Sequence, residues 1–208
     1  MTAPDGWDAI VEAGRELAAA GLTPGTTGNI SILQGESALT SGTGTRLGRL
    51  SDTDWARVSL AGDHLEGMRP TKESAFHVQI YGRRPDVGAV VHLHSPAALT
   101  VSCLADLAEV EPLPTYTPYY AMRVRGLAVV GYFPPGDTGL AGAVAHALES
   151  HDAVLLRRHG LVTVGADLGE AMAAAEELET NCALHLRLAG LPADPLSEDE
   201  IAHLRRTF

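Results

Sequence analysis

His92 and His94 stand two apart in Val90-Val91-His92-Leu93-His94, at the end of an apolar run. In a strand this spacing puts both imidazoles on one face, while Val91 and Leu93 point to the other. A catalytic zinc asks for about three such neutral nitrogens and one open position. Of the nine histidines, His159 is the best third ligand. It follows the apolar run 153–156 and precedes Gly160, whose turn would hold it at a strand end. The alternative is three unconnected polar histidines at strand ends.

Glu73 serves as a general acid or base if the chain returns it to such a centre. Otherwise it is a carboxylate favouring the amino end of a helix. Two clusters rich in glycine and hydroxyls, Thr26-Thr27-Gly28-Asn29 and Thr40-Ser41-Gly42-Thr43-Gly44-Thr45, could cradle a phosphate with backbone N–H groups or simply form turns. Neither has dinucleotide-fingerprint spacing, and neither ends in the Gly-Lys-Ser/Thr of a P-loop. Lys72 is either solvated or the positive charge aimed at an anionic substrate.

The elements that must position these residues are legible as patterns. Apolar residues at helical spacing predict a helix over 7–20, stopped by Gly21. Ile30-Ser31-Ile32-Leu33 reads as a strand, and 55–60 as another with a hairpin turn near Gly62-Asp63. Thr71 and nearby acid start a helix over 74–81, with Glu73 in its first turn. The run 87–93 reads as a buried strand and 96–104 as the following helix. Strands are expected over 129–133, 153–156 and 161–164, with helices over 138–148 and 168–188. Residues 191–208 form either a lid or a solvated tail. Mixed strands and helices without strict alternation predict a central mixed, largely antiparallel sheet covered by helices.

The 208 residues suit one domain, taken as 1–208, with no linker or repeat dividing it. Hydrophobic residues at 45% and charged ones at 20% are ordinary for a globular chain, without the long uncharged run of a membrane span. A formal charge of −11 argues against nucleic acid or an acidic membrane as the main partner. Cys103 and Cys182 form no CxxC pair, and residues 1–8 lack a secretory pattern, so a cytoplasmic location is expected.

Gly25-Thr26-Thr27-Gly28-Asn29-Ile30-Ser31, Thr40 to Gly44, Pro70-Thr71-Lys72-Glu73, Val90 to Ser95 and Leu155-Leu156-Arg157-Arg158-His159-Gly160 together resemble, in order, the class II aldolase/adducin family, over about residues 7–190. The resemblance implies an α/β/α layered domain, a homotetramer with active sites near subunit interfaces, and a divalent metal held by His92, His94 and His159. That metal would be Zn2+, or Mn2+ or Co2+. It further implies Glu73 as catalytic acid/base, and Thr26, Gly28, Asn29, Thr43, Gly44 and Thr71 as the substrate-phosphate site.

Fuculose-phosphate aldolases usually carry two serines where this chain has Thr71-Lys72, and the charge of Lys72 suggests a further anionic group on the substrate. The segments Thr117-Pro118-Tyr119-Tyr120-Ala121-Met122-Arg123-Val124 and Tyr132-Phe133-Pro134-Pro135-Gly136-Asp137 resemble the branch that decarboxylates 3-oxo-tetronate 4-phosphate. The implied reaction releases carbon dioxide and, through a metal-stabilised enediolate, dihydroxyacetone phosphate. Lys72 would meet the carboxylate, with Tyr119 or Tyr120 as further donors. Cleavage of a fuculose-like sugar phosphate is the alternative. An adducin-like module without chemistry would have lost the three histidines, and the family's epimerases generally carry aspartate where Glu73 stands. Arg158 departs from the neutral amide that many members carry there.

Overall fold

The computed structural model describes residues 3–134 and 137–207. Met1, Thr2, Phe208 and the Pro135-Gly136 part of the 132–137 segment lie outside the described residues. Eight strands among the described residues form one sheet: β1 (Asn29–Gln34), β2 (Ser37–Ser41), β3 (Trp55–Ser59), β4 (His64–Gly67), β5 (Ala89–Leu93), β6 (Leu127–Val130), β7 (Ala153–Leu156) and β8 (Gly160–Gly165). Their order is β4-β3-β2-β1-β5-β8-β7-β6. Every pairing is antiparallel except β6 with β7, so the sheet is mixed and largely antiparallel, as expected.

Strand alternation sends side chains into two cores. Ala89, Val91 and Leu93 of β5, Leu155 of β7 and Leu161 of β8 pack under α1 (Trp7–Ala19), α3 (Pro96–Ser102), α4 (Pro118–Arg123) and α6 (Leu168–Leu188). Val90, Val154, Val162 and Val164 face the other way, against α2 (Ser74–Arg83) and α5 (Gly139–Ala147). The layers are therefore α/β/α. Each fully buried aliphatic side chain of this kind contributes about 1.5–3 kcal/mol by leaving water.

Several boundaries differ from the sequence pattern. Thr40 and Ser41 end strand β2 instead of lying in a loop. The strand expected at 129–133 is β6, Leu127–Val130, because its parallel pairing with β7 starts at Leu127; Phe133 instead packs against the second core. In the C-terminal segment Glu198–Thr207 form a helix, α7, with no buried residues. Arg205 ties this helix to α4 by donating to the carbonyls of Ala121 at 3.3 Å and Val124 at 3.1 Å. No helix among the described residues is long and apolar enough to cross a membrane.

Candidate active site

The histidine pair lies where β5 ends. His92 is fully buried on the α2 side of the sheet, opposite Val91 and Leu93. Its Nδ1 lies 2.7 Å from the carbonyl of Leu161. A carbonyl only accepts, so Nδ1 carries the proton and the lone pair of Nε2 is left to face the site. His94 Nε2 lies 3.0 Å from His92 Nε2.

His159 arrives from the turn between β7 and β8. Its N–H donates to Leu156 at 3.0 Å, and Arg158 inside the turn takes the left-handed φ of 59°, which an asparagine adopts more readily than an arginine. Gly160, with φ 151°, lies so close to β5 that a Cβ there would stand 2.2 Å from the Leu93 carbonyl. Only glycine lets the turn approach this far, and the approach brings His159 beside His94, with ring centroids 4.7 Å apart.

The three ligand nitrogens lie within 4.8 Å of one another. They come from two strand ends locked by the β5–β8 ladder, in which Leu93 pairs with Leu161. Burial, reinforced by repulsion from the neighbouring imidazoles, pushes His94 down to about 3 and lowers His92. Both are therefore neutral at ordinary pH. Converging neutral nitrogens, one with its tautomer fixed from behind, are the donor set that a divalent cation such as Zn2+ accepts. The residues present fit the metal that the motifs imply.

Glu73 sits at the position preceding α2, not inside its first turn, and its side chain makes no capping bond there. The carboxylate points instead at the histidines: Oε1 lies 3.0 Å from His159 Nε2 and Oε2 3.3 Å from His92 Nε2. Asn29 Nδ2 donates to Oε2 at 2.7 Å. Burial alone would raise its pKa, but the His92 and His159 rings, whose charge attraction acts only when they are protonated, and the bonds from His159 and the Asn29 amide outweigh burial and hold the carboxyl well below its ordinary range. Glu73 is anionic in the resting site.

A cavity of about 870 Å³ opens onto this group. It takes in all six residues expected around a phosphate: Thr26, Gly28, Asn29, Thr43, Gly44 and Thr71. Gly28 has φ 79°, and a Cβ there would meet the His92 carbonyl at 2.7 Å, so the loop lies directly on the ligand strand. Lys72 and Arg158 are both exposed and line the same cavity. Lys72 has no ion-pair partner among the described residues. Arg158 lies 5.8 Å over the ring of Tyr132.

Tyr119 is not brought to this cavity: it lies on α4, in the opposite layer, and is 64% exposed. Tyr120 is buried in the first core. Four residues near the site escaped the sequence pattern. Ser31, His77 and Tyr81 run behind Asn29 in a buried line. Glu179 of α6 receives Ser95 Oγ at 2.7 Å and the backbone N–H groups of Ala97 and Ala98 at 2.7 and 2.8 Å. It thereby satisfies the first N–H groups of α3, immediately after the ligand strand. The spacings Asn29-x-Ser31 and Glu73-x-x-x-His77-x-x-x-Tyr81 were the available signal for the first three. Nothing local marked Glu179.

A family model for the Class II Aldolase and Adducin N-terminal domain matches residues 8–186. A 3-oxo-tetronate 4-phosphate decarboxylase from Haemophilus influenzae is 36% identical over 196 residues, covering 94% of this chain and 93% of that protein. An L-fuculose phosphate aldolase from Escherichia coli is 32% identical over 204 residues, covering 96% of this chain and 92% of the relative. The crystal structure of YgbL from Klebsiella pneumoniae superposes with a TM-score of 0.93 at 36% identity, covering 99% of this chain and 100% of its own.

Proposed function

The chain belongs to the class II aldolase and adducin family, and on that premise we propose that it is a metal-dependent carbon–carbon lyase acting as a 3-oxo-tetronate 4-phosphate decarboxylase. The observation that supports this most directly is one cavity lined by His94, His159, Glu73, two glycine–threonine loops and the cations Lys72 and Arg158, with the third histidine, His92, buried beside it. A divalent metal, which we take to be Zn2+, would be held by His92, His94 and His159, and when bound supplies a Lewis acid that draws negative charge onto substrate oxygens.

The remaining chemistry belongs to the chain. Thr26, Gly28, Thr43, Gly44 and Thr71 offer hydroxyls and backbone N–H groups to the phosphate. Lys72 meets the carboxylate as a point charge and orients it for departure. When the bond between C1 and C2 breaks, carbon dioxide leaves and the electron pair stays on the three-carbon fragment. A proton must then be added at C2 to give dihydroxyacetone phosphate, so the reaction consumes one proton. Glu73, anionic at rest, relays to C2 the one proton that the reaction consumes from the bulk solvent.

We read residues 1–208 as a single domain, consistent with one continuous sheet. Tyr119, exposed in the layer opposite the cavity, would serve a neighbouring copy in a homotetramer. A cytoplasmic setting agrees with the free cysteines Cys103 and Cys182.

The test is to incubate the Zn2+-loaded protein with 3-oxo-tetronate 4-phosphate and measure carbon dioxide and dihydroxyacetone phosphate together. Equimolar release is expected. The full-length similarity to an L-fuculose phosphate aldolase favours one second reading, aldol cleavage of a sugar 1-phosphate. Aldehyde release from fuculose 1-phosphate, with no carbon dioxide from the oxo acid, would replace the first reading by the second.

A further inference from the structure

Five polar residues alternate between a strand and a helix behind the ligand histidines. Glu73, His77 and Tyr81 are spaced four apart at the start of α2 and along it. Asn29 and Ser31 are spaced two apart in β1. Four residues of helix rise about 6 Å and two residues of strand about 6.6 Å, so the two rows stay in step and interleave. Asn29 Nδ2 is 2.7 Å from Glu73 Oε2, and His77 Nε2 is 2.6 Å from Asn29 Oδ1. Ser31 Oγ lies 2.7 Å from His77 Nδ1 and 2.7 Å from Tyr81 Oη. Asn29, Ser31, His77 and Tyr81 are all buried, His77 and Ser31 completely.

The direction of every bond follows from one end. An ionised carboxylate only accepts, so the amide must present its NH2 group to Glu73 and its oxygen to His77. An amide oxygen only accepts, so His77 carries its proton on Nε2 and its Nδ1 is an acceptor. Ser31 therefore donates to Nδ1, and its oxygen accepts from the Tyr81 phenol. Each buried side-chain polar atom along the line has at least one partner, as a buried polar row requires. Burial, followed by repulsion from His92 and partly offset by Glu73, pushes His77 down to about 3, so this neutral tautomer persists at working pH.

We propose that His77, fixed by Ser31 and Tyr81, is a positioning residue for the reaction: it locks the Asn29 amide so that Glu73 Oε2 stays its acceptor and Oε1, beside His159 at the cavity, is the oxygen that exchanges a proton with substrate. This inference rests on the proposed role of Glu73. It also gives Asn29 work on Glu73 in addition to the phosphate contact that the motif implies.

The experiment pairs a spectroscopic and a kinetic measurement on the full-length protein. Nitrogen-15 NMR of the imidazoles is expected to report His77 as neutral and protonated on Nε2. A proton on Nδ1, or a charged ring, would overturn the proposal whatever the enzyme's activity. In steady-state kinetics on the oxo acid, His77→Leu is expected to lower kcat about 30-fold with KM within twofold, and His77→Gln to recover most of the loss. Tyr81→Phe, which removes only the far oxygen, should give a loss under fivefold and covers the event that His77→Leu does not fold. In a Glu73→Gln background, His77→Leu should cause no further loss of kcat. A full additional loss there, or equal loss in His77→Gln and His77→Leu, would make the row a packing device only and overturn the proposal. A parent enzyme inactive on the oxo acid would instead remove the functional reading and leave the NMR result standing.

Discussion

The carboxylate of Glu179 lies 2.7 Å from the hydroxyl of Ser95, the residue immediately after His94. One side chain from α6 thus anchors both the exit of the ligand strand and the start of α3. Glu179→Ala leaves three donors without an acceptor and is expected to cost about 3 kcal/mol, or about 6–12 °C in Tm for a chain of this size. Thermal unfolding of the two proteins checks it, with Glu179→Gln expected to lose about half as much.

Glu73→Gln keeps the shape and the Asn29 side of the site but cannot exchange a proton. It should lower kcat by about 10²–10⁴ while the bound metal, read by elemental analysis, stays at the parent level. His159→Ala should do the reverse in kind: metal content falls together with activity. Retention of metal by His159→Ala would remove that residue from the ligand set.

Lys72→Ser restores the serine that fuculose-phosphate aldolases usually carry at this place. Expected is a loss of kcat/KM of about tenfold or more on the oxo acid, with less effect on a substrate lacking the carboxylate. Equal turnover of the oxo acid by both proteins would leave the decarboxylase reading without its specificity group.

His77 titrates near 6.5 in an unfolded chain but is pushed down to about 3 here, chiefly by burial, and His94 behaves likewise. Between those values the unfolded chain binds more protons than the folded one, so stability rises with pH. The contribution is fully present above about pH 6.5 and is lost as pH falls toward 3. Urea midpoints of the metal-free protein measured from pH 7 to pH 4 should therefore decline, and His77→Gln should flatten the slope.

What could be read from the chain was what local periodicity records. The pair His92 and His94 share a face because a strand repeats every two residues, and α1, α6 and β7 follow from apolar spacing alone. The pattern places Glu73 in the first turn of α2, one position beyond where it sits, since sequence cannot tell a helix-favouring carboxylate from one turned back onto a neighbouring strand. The short β2 was lost because Thr40 and Ser41 look like turn formers until their pairing partners Ala56 and Trp55 are known. Ser31, His77, Tyr81 and Glu179 acquire meaning only from partners 46 to 84 residues away. No window of sequence contains them.

The strand that bears His92 is joined on one side where Ser31 meets Val90 and on the other where His92 meets Val162. Both unions link distant parts of the chain, the slowest kind of contact to establish in folding because the intervening loops must close first. The convergence of His92, His94 and His159 is therefore a product of the completed sheet, not of any one hairpin or helix.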